Sequence, residues 1–312
     1  MRIVVVTKGL SRVYEALLKS SHDIVGVVES ESKYEKQGSL MRALLFIKQT
    51  FFKSSSLTLK ESALKNSIPY LLYNKTKKDS IVTFLKELSP DVMVVYSMSQ
   101  LLAESAFNIP KYGTVNLHPS FLPEYRGPNP DFWQYYNQVL NPGVTVHYID
   151  SGEDTGDIIV QKRVEVDLGL RSTDRLDILI GKVGVDLLLE ALDSLGTEML
   201  LRVPQPVNSP TNRARNIEFA EHDQLIDWEH WSVERVWNLL RGSEDWFKPI
   251  EQPKGILAGQ NWHVESYEKV DHCRELGKVF SCDGKHYLAA LNGRIELKVI
   301  FSLKKTVVNL LR

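Results

Sequence analysis

Asn116 and His118 lie two residues apart at the end of an apolar run, GTVNLH, and so face one side of any strand formed there. Asp154 follows a second apolar run, GVTVHYID, in a loop flanked by Gly152 and Gly156. If the two runs are neighbouring strands, an amide, an imidazole and a carboxylate converge at their ends. Such a set can carry acyl transfer: an oxyanion donor, a general acid/base, and a group that orients and charge-balances it.

The elements that must position these residues alternate short apolar runs with helical patterns. This is the signature of a Rossmann-like, mostly parallel α/β sheet with crossover helices. Strands are expected over 3–7, 24–28, 68–72, 91–97, 113–118 and 143–150, with a strand pair or bent strand over 158–166. Helices are expected over Lys78–Leu88, an aromatic Pro130–Leu140, and a long closing Ser172–Leu195 with Ser172 or Thr173 as its N-cap. The apolar run Leu40–Phe52, interrupted by Arg42, Lys48 and Gln49, reads as a buried or half-buried helix too short to span a bilayer. In an open α/β sheet ligands bind beyond the carboxyl ends of the strands, and both motifs are expected on that edge. The three-proline segment VPQPVNSPTNRAR (203–215) reads as a surface linker. It would divide a catalytic domain (1–202) from a small β-rich, OB-like C-terminal domain (216–312), whose helix begins at Val233 and whose short strands include WHVESY, VFSCD, HYLAALN and RIELKVI.

Bulk properties exclude several classes. The chain has 312 residues, 43% hydrophobic and 25% charged, with a formal net charge of −1. From Val207 to Arg312 there are 15 Lys/Arg against 15 Asp/Glu, so no strongly basic nucleic-acid-binding domain is written into the composition. Two cysteines, Cys273 and Cys282, and a start that enters a strand directly point to a reduced, cytoplasmic protein with no membrane partner. TKGLSR after the first strand lacks the GxGxxG cradle, which argues against a dinucleotide cofactor. His118 and His147 have no third ligand at metal-site spacing, so no metal is expected. The rigid loop LPEYRGPNP carries Tyr125, Arg126, Gly127 and Asn129 as candidate substrate contacts. Arg126 there suits a phosphate or carboxylate, or alternatively braces the loop. Trp228, Trp231 and Trp237 read as small-domain core.

At these residues the sequence resembles the folate-dependent formyltransferase family. NLHPSFLPEYRG and DSGEDTGDII match its Asn-x-His-Pro-Ser-x-Leu-Pro and Asp-Thr-Gly-Asp signatures, and the resemblance covers roughly residues 1–200. A weaker likeness around QLIDW (224–228) extends to the C-terminal domain of methionyl-tRNA and several sugar formyltransferases. The resemblance implies transfer of a formyl group from N10-formyltetrahydrofolate to an amine, with Asn116, His118 and Asp154 as the catalytic trio. It also implies a pterin pocket made largely of backbone from Ser97, Met98, Ser99, Gln100, Leu101 and Leu102, and from Ser151, Gly152 and Glu153. Two acceptors compete. The RGPNP loop, the helix aromatics and the neutral C-terminal half favour a nucleotide-linked amino sugar of glycan biosynthesis and disfavour nucleic acid. Methionyl-tRNA is the alternative, supported by Lys33, Lys36, Arg42, Lys48, Lys53 and Lys60 against two acids in 31–60. A non-catalytic relative that binds folate or nucleotide is the third reading. The resemblance further suggests a homodimer.

Overall fold

A computed structural model describes residues 1–31, 57–74, 78–98, 100–197 and 202–301. The expected Leu40–Phe52 helix and Ser99 lie outside them. The chain divides into two compact units. The first comprises Met1–Pro128, Gly143–Val164 and Leu176–Arg213; the second comprises Asn129–Pro142, Glu165–Arg175 and Ala214–Arg312. The second unit therefore takes in two segments from within the 1–202 stretch. Phe132 and Tyr135 of the first of these are buried among Ile226, Val236, Leu239 and Phe247.

The first unit holds a seven-stranded sheet in the order β3-β2-β1-β4-β5-β6-β7. The strands are β1 (Arg2–Thr7), β2 (Asp23–Ser30), β3 (Tyr70–Tyr73), β4 (Val92–Tyr96), β5 (Thr114–His118), β6 (Gly143–Tyr148) and β7 (Ile158–Arg163). β3 through β5 are parallel, whereas β6 and β7 run antiparallel to their neighbours. The 158–166 stretch gives one strand, not a pair.

Period-two alternation sorts the side chains. Ile3, Val5, Val92, Val94, Val115, Leu117, Val144 and Val146 pack on one face with Tyr14, Leu17, Leu179, Leu188 and Leu192. Val4, Val6, Val28, Met93 and Val95 pack on the other face with Ile81, Leu85, Ala106 and Phe107. Burial on both faces explains why the inner strands are almost purely apolar.

The expected long closing helix is α-helical over Ser172–Leu176 and Val185–Ser194, with a π-helical stretch at Asp177–Gly184 between. A Cβ on Gly184 would lie 3.1 Å from Val144 and 3.2 Å from Leu117, so its absence lets the helix lie close to the sheet. Ser172 is the first helical residue, not the cap, and its hydroxyl donates to Asp131.

The second unit holds a four-stranded antiparallel sheet in the order β8-β11-β10-β9: β8 (Trp262–Glu268), β9 (Val279–Cys282), β10 (Lys285–Ala290) and β11 (Gly293–Val299). The helix Val233–Ser243 packs on it through Val233, Val236, Leu239 and Leu240. Trp231 is buried in this core, and Trp228 and Trp237 are partly buried against it. Among the described residues no helix is long and apolar enough to cross a membrane.

Candidate active site

The antiparallel turn of β6 decides how the site is assembled. Register pairs Asn116 with His147 and His118 with Thr145. With Val115, Leu117, Val144 and Val146 directed into the first core, these four polar residues share the opposite face. The loop after β6 starts beside Val115, at the amino end of β5, because Tyr148 pairs with Val115. The two motifs thus do not leave by one carboxyl edge as expected. Instead the 149–157 loop folds back so that Asp154 meets the shared polar face.

Asp154 is held in the left-handed backbone region at φ 55°, which Asp tolerates better than most residues. Its Oδ1 lies 3.4 Å from Asn116 Nδ2 and 3.6 Å from His147 Nε2; its Oδ2 lies 3.7 Å from His118 Nδ1. Oδ2 also accepts the Gly127 N–H at 2.9 Å. The loop turns tightly: Thr155 Oγ1 and the Gly152 N–H both donate to Asp150 Oδ1, at 2.7 and 3.0 Å. A Cβ on Gly156 would fall 2.0 Å from the Tyr148 carbonyl oxygen.

Hydrogen-bond partners fix both imidazoles, since a carbonyl can only accept. His118 Nε2 faces the Tyr125 carbonyl at 3.1 Å and therefore carries a proton. In the neutral ring its Nδ1 then presents a lone pair beside Asp154. His147 Nδ1 faces the Tyr148 carbonyl at 2.8 Å and likewise carries a proton, so its Nε2 accepts from Asn116 Nδ2 at 3.1 Å. Burial pushes the His147 pKa down to about 4, against the opposing pull of Asp154. A neutral His147 thus orients the Asn116 amide. Spacing alone offers His147 as a possible metal ligand; its alternation with Thr145 is visible in the sequence, but the register that puts it opposite Asn116 is not.

The 120s loop is braced from two sides. Thr145 Oγ1 donates to the Ser120 carbonyl at 2.7 Å and accepts the Leu122 N–H at 3.1 Å. Tyr125, buried and at φ 54°, occupies a backbone region costly for an aromatic residue, and so turns its carbonyl to His118. Arg126 is buried, with its guanidinium on Gln205 Oε1 (2.8 and 3.2 Å) and the carbonyls of Pro206 (2.8 Å) and Val207 (3.0 Å). Its fork is engaged by the chain itself. Asn129 belongs to the second unit, where it precedes the helix Pro130–Tyr136 and its N–H donates to the Ala214 carbonyl.

Of the expected folate contacts, Met98 and Leu102 are partly buried against the second face of the sheet, while Ser97 and Leu101 are exposed. Among the described residues, Gln100 Oε1 is buried without a hydrogen-bond partner. Ser151 and Gly152 are exposed, and the Glu153 carboxylate takes a bidentate contact from Arg213 at 2.5 and 2.8 Å.

Known proteins place this arrangement. The methionyl-tRNA formyltransferase of Pelotomaculum thermopropionicum is 31% identical over 291 residues, covering 91% of this chain and 84% of the relative. That of Acetivibrio thermocellus is 30% identical over 234 residues, covering 74% and 69%. Among solved structures, the sugar 3-N-formyltransferase WlaRD, in the presence of dTDP and 5-N-formyl-THF, superposes with a TM-score of 0.60. It covers 97% of this chain and 99% of that one at 17% identity, which speaks for the fold. These relatives overturn the amino-sugar acceptor and the disfavouring of nucleic acid, since both, at 30% and 31% identity, carry the tRNA name. A net charge balance averages over ion pairs: Lys269–Glu234, Lys285–Glu296 and Arg294–Glu268 cancel in the sum without saying what any local surface presents. The family model described as formyl transferase matches residues 1–192, and with these relatives it shows that the chain belongs to the formyltransferase family of enzymes.

Proposed function

We propose that the protein transfers the formyl group of N10-formyltetrahydrofolate to the α-amine of methionyl-tRNA, in the cytoplasm. The observation that carries the acceptor is the 31% identity to a methionyl-tRNA formyltransferase across 91% of the chain. The donor follows from the family, and the buried Gln100 Oε1, unpartnered among the described residues, fits a heterocycle rich in N–H groups such as a pterin. When bound, the folate supplies an electrophilic formyl carbonyl and an amine leaving group.

The chain's own residues then have these roles. Asn116, its amide set by His147, can turn the N–H now 3.4 Å from Asp154 Oδ1 toward the formyl oxygen as that oxygen gains charge. One such donor contributes about 3–4 kcal/mol to the transition state. His118, pinned through Nε2 to Tyr125, presents Nδ1 to the reacting groups. That nitrogen takes up the proton the attacking amine releases and returns it to the departing N10 of the folate, while Asp154 Oδ2, 3.7 Å away, balances the transient imidazolium. The first unit serves as the catalytic body. The six cations between Lys33 and Lys60 are a sequence-level source of contacts to tRNA phosphates.

The test is incubation of the purified protein with N10-formyltetrahydrofolate carrying a labelled formyl group and either methionyl-tRNA or uncharged tRNA. Label should enter methionyl-tRNA alone, with an acceptor KM that rises steeply with salt. Absence of label from methionyl-tRNA, in a preparation that binds folate, would refute the acceptor.

A further inference from the structure

We propose that Gln205 is a positioning residue that holds Asp154 in register with Asn116 and His118; this deepens the transfer reading above and rests on it. The Gln205 amide joins two loops. Its Oε1 accepts from Arg126 Nε (3.2 Å) and Nη2 (2.8 Å), and its Nε2 donates to the carbonyls of Asp154 (3.1 Å) and Gly156 (2.6 Å). Arg126 sits between Tyr125, whose carbonyl receives His118, and Gly127, whose N–H meets Asp154 Oδ2. One side chain therefore links the backbone that fixes the imidazole to the backbone that carries the carboxylate.

The amide cannot be reversed. A guanidinium has donors only, so Oε1 must face Arg126, and the two carbonyls facing Nε2 can only accept. Arg126 is itself anchored on the carbonyls of Pro206 and Val207, so the amide is aimed from both ends. The same segment is tied down further along. Thr211 Oγ1 accepts the Tyr125 N–H at 2.7 Å, Ser209 Oγ donates to the Pro123 carbonyl at 2.7 Å, and Arg213 grips Glu153. What reads in sequence as a linker is a strap over both loops of the site. Asp154, at φ 55°, lies outside the backbone regions an L-residue prefers, and the strap supplies restraint there.

Gln205→Glu tests the assignment, with Gln205→Met as its near-isosteric apolar counterpart. Glu keeps the acceptor for Arg126 but has no donor for the two carbonyls; Met lacks both. The three proteins are compared by thermal melting, by amide exchange of peptides spanning 150–157, and by the pH dependence of formyl transfer to methionyl-tRNA. Both variants should exchange about tenfold faster over 150–157 than the wild type and lose about 10- to 100-fold in kcat, with acceptor KM within about twofold. The acid limb of kcat/KM should move, because Asp154 no longer faces His118. Unchanged exchange over 150–157 in whichever variant folds would overturn the proposal. So would a loss of kcat that follows the melting temperature with an unmoved pH profile, since that marks a merely structural residue. If exchange rises as expected but the wild type leaves methionyl-tRNA unformylated, the acceptor reading fails and the positioning role stands.

Discussion

His147 makes the first unit acid-sensitive in a calculable way. The ring is 1% exposed, donates from Nδ1 to the Tyr148 carbonyl and accepts from Asn116, and its pKa falls from 6.5 to about 4 through burial. Above pH 6.5 the ring is neutral in folded and unfolded chains alike, and this part of the stability is complete. Between 6.5 and about 4 the unfolded chain takes up a proton that the folded one refuses, so stability declines by about 1.4 kcal/mol per pH unit. Below about 4 the two states again hold equal protons and the decline levels off, after a total loss of about 3 kcal/mol. Between pH 7 and pH 5 the loss is about 2 kcal/mol. His147→Gln removes the titrating group and should flatten this component. All six tryptophans lie in the second unit, so their fluorescence does not follow the first. Native-state amide exchange over 114–118 and 143–148 does, with fluorescence as the internal control. Wild-type and variant opening energies should converge by about 2 kcal/mol from pH 7 to pH 5. Parallel pH curves, or an imidazole resonance of His147 that titrates near 6.5, would refute a buried neutral ring.

Three further perturbations bear on the same geometry. Asp154→Asn removes the charge that balances His118, and His118→Ala removes the Nδ1 base; each should lower turnover about a thousandfold or more while leaving folate binding measurable by titration calorimetry. Gly156→Ala puts a methyl group 2.0 Å from the Tyr148 carbonyl oxygen, where backbone cannot yield. The displaced loop should cost about tenfold or more in kcat, and wild-type kinetics would show that the loop tolerates rearrangement. In the second unit, Gly242→Ala drives a methyl group to 2.2 Å from the Tyr135 ring, which its hydroxyl bond to the Leu170 carbonyl keeps from swinging away. Tryptophan-monitored urea unfolding should show about 1–3 kcal/mol of destabilisation, with exchange over 114–118 unaffected.

What could be read in the sequence was local, and what could not depended on pairing across distance. Asn116 and His118 share a face because a strand alternates, and that needed no structure. Asp154 does neighbour both residues, yet by a route other than neighbouring carboxyl ends. Two parallel strands would have brought both loops to one edge; the antiparallel β6 instead presents His147 to Asn116 and sends the Asp154 loop back over the sheet face. Strand direction follows from which partners win among many β-formers, and no residue near Gly143 encodes it alone. Arg126 shows the same limit in another form. A buried guanidinium near a rigid loop looks like an anion site until its partners are known, and these lie about eighty residues away at Gln205, Pro206 and Val207. Proline and small polar residues made that stretch look like a solvent-exposed connector, because composition reports what a segment cannot form, namely helix or central strand, and not what its side chains grip. The acceptor was misjudged for a related reason, since a neutral sum over 15 cations and 15 anions carries no information about where unpaired charge collects. The convergence of a few side chains at close range was thus more legible than specificity, which is a property of surfaces.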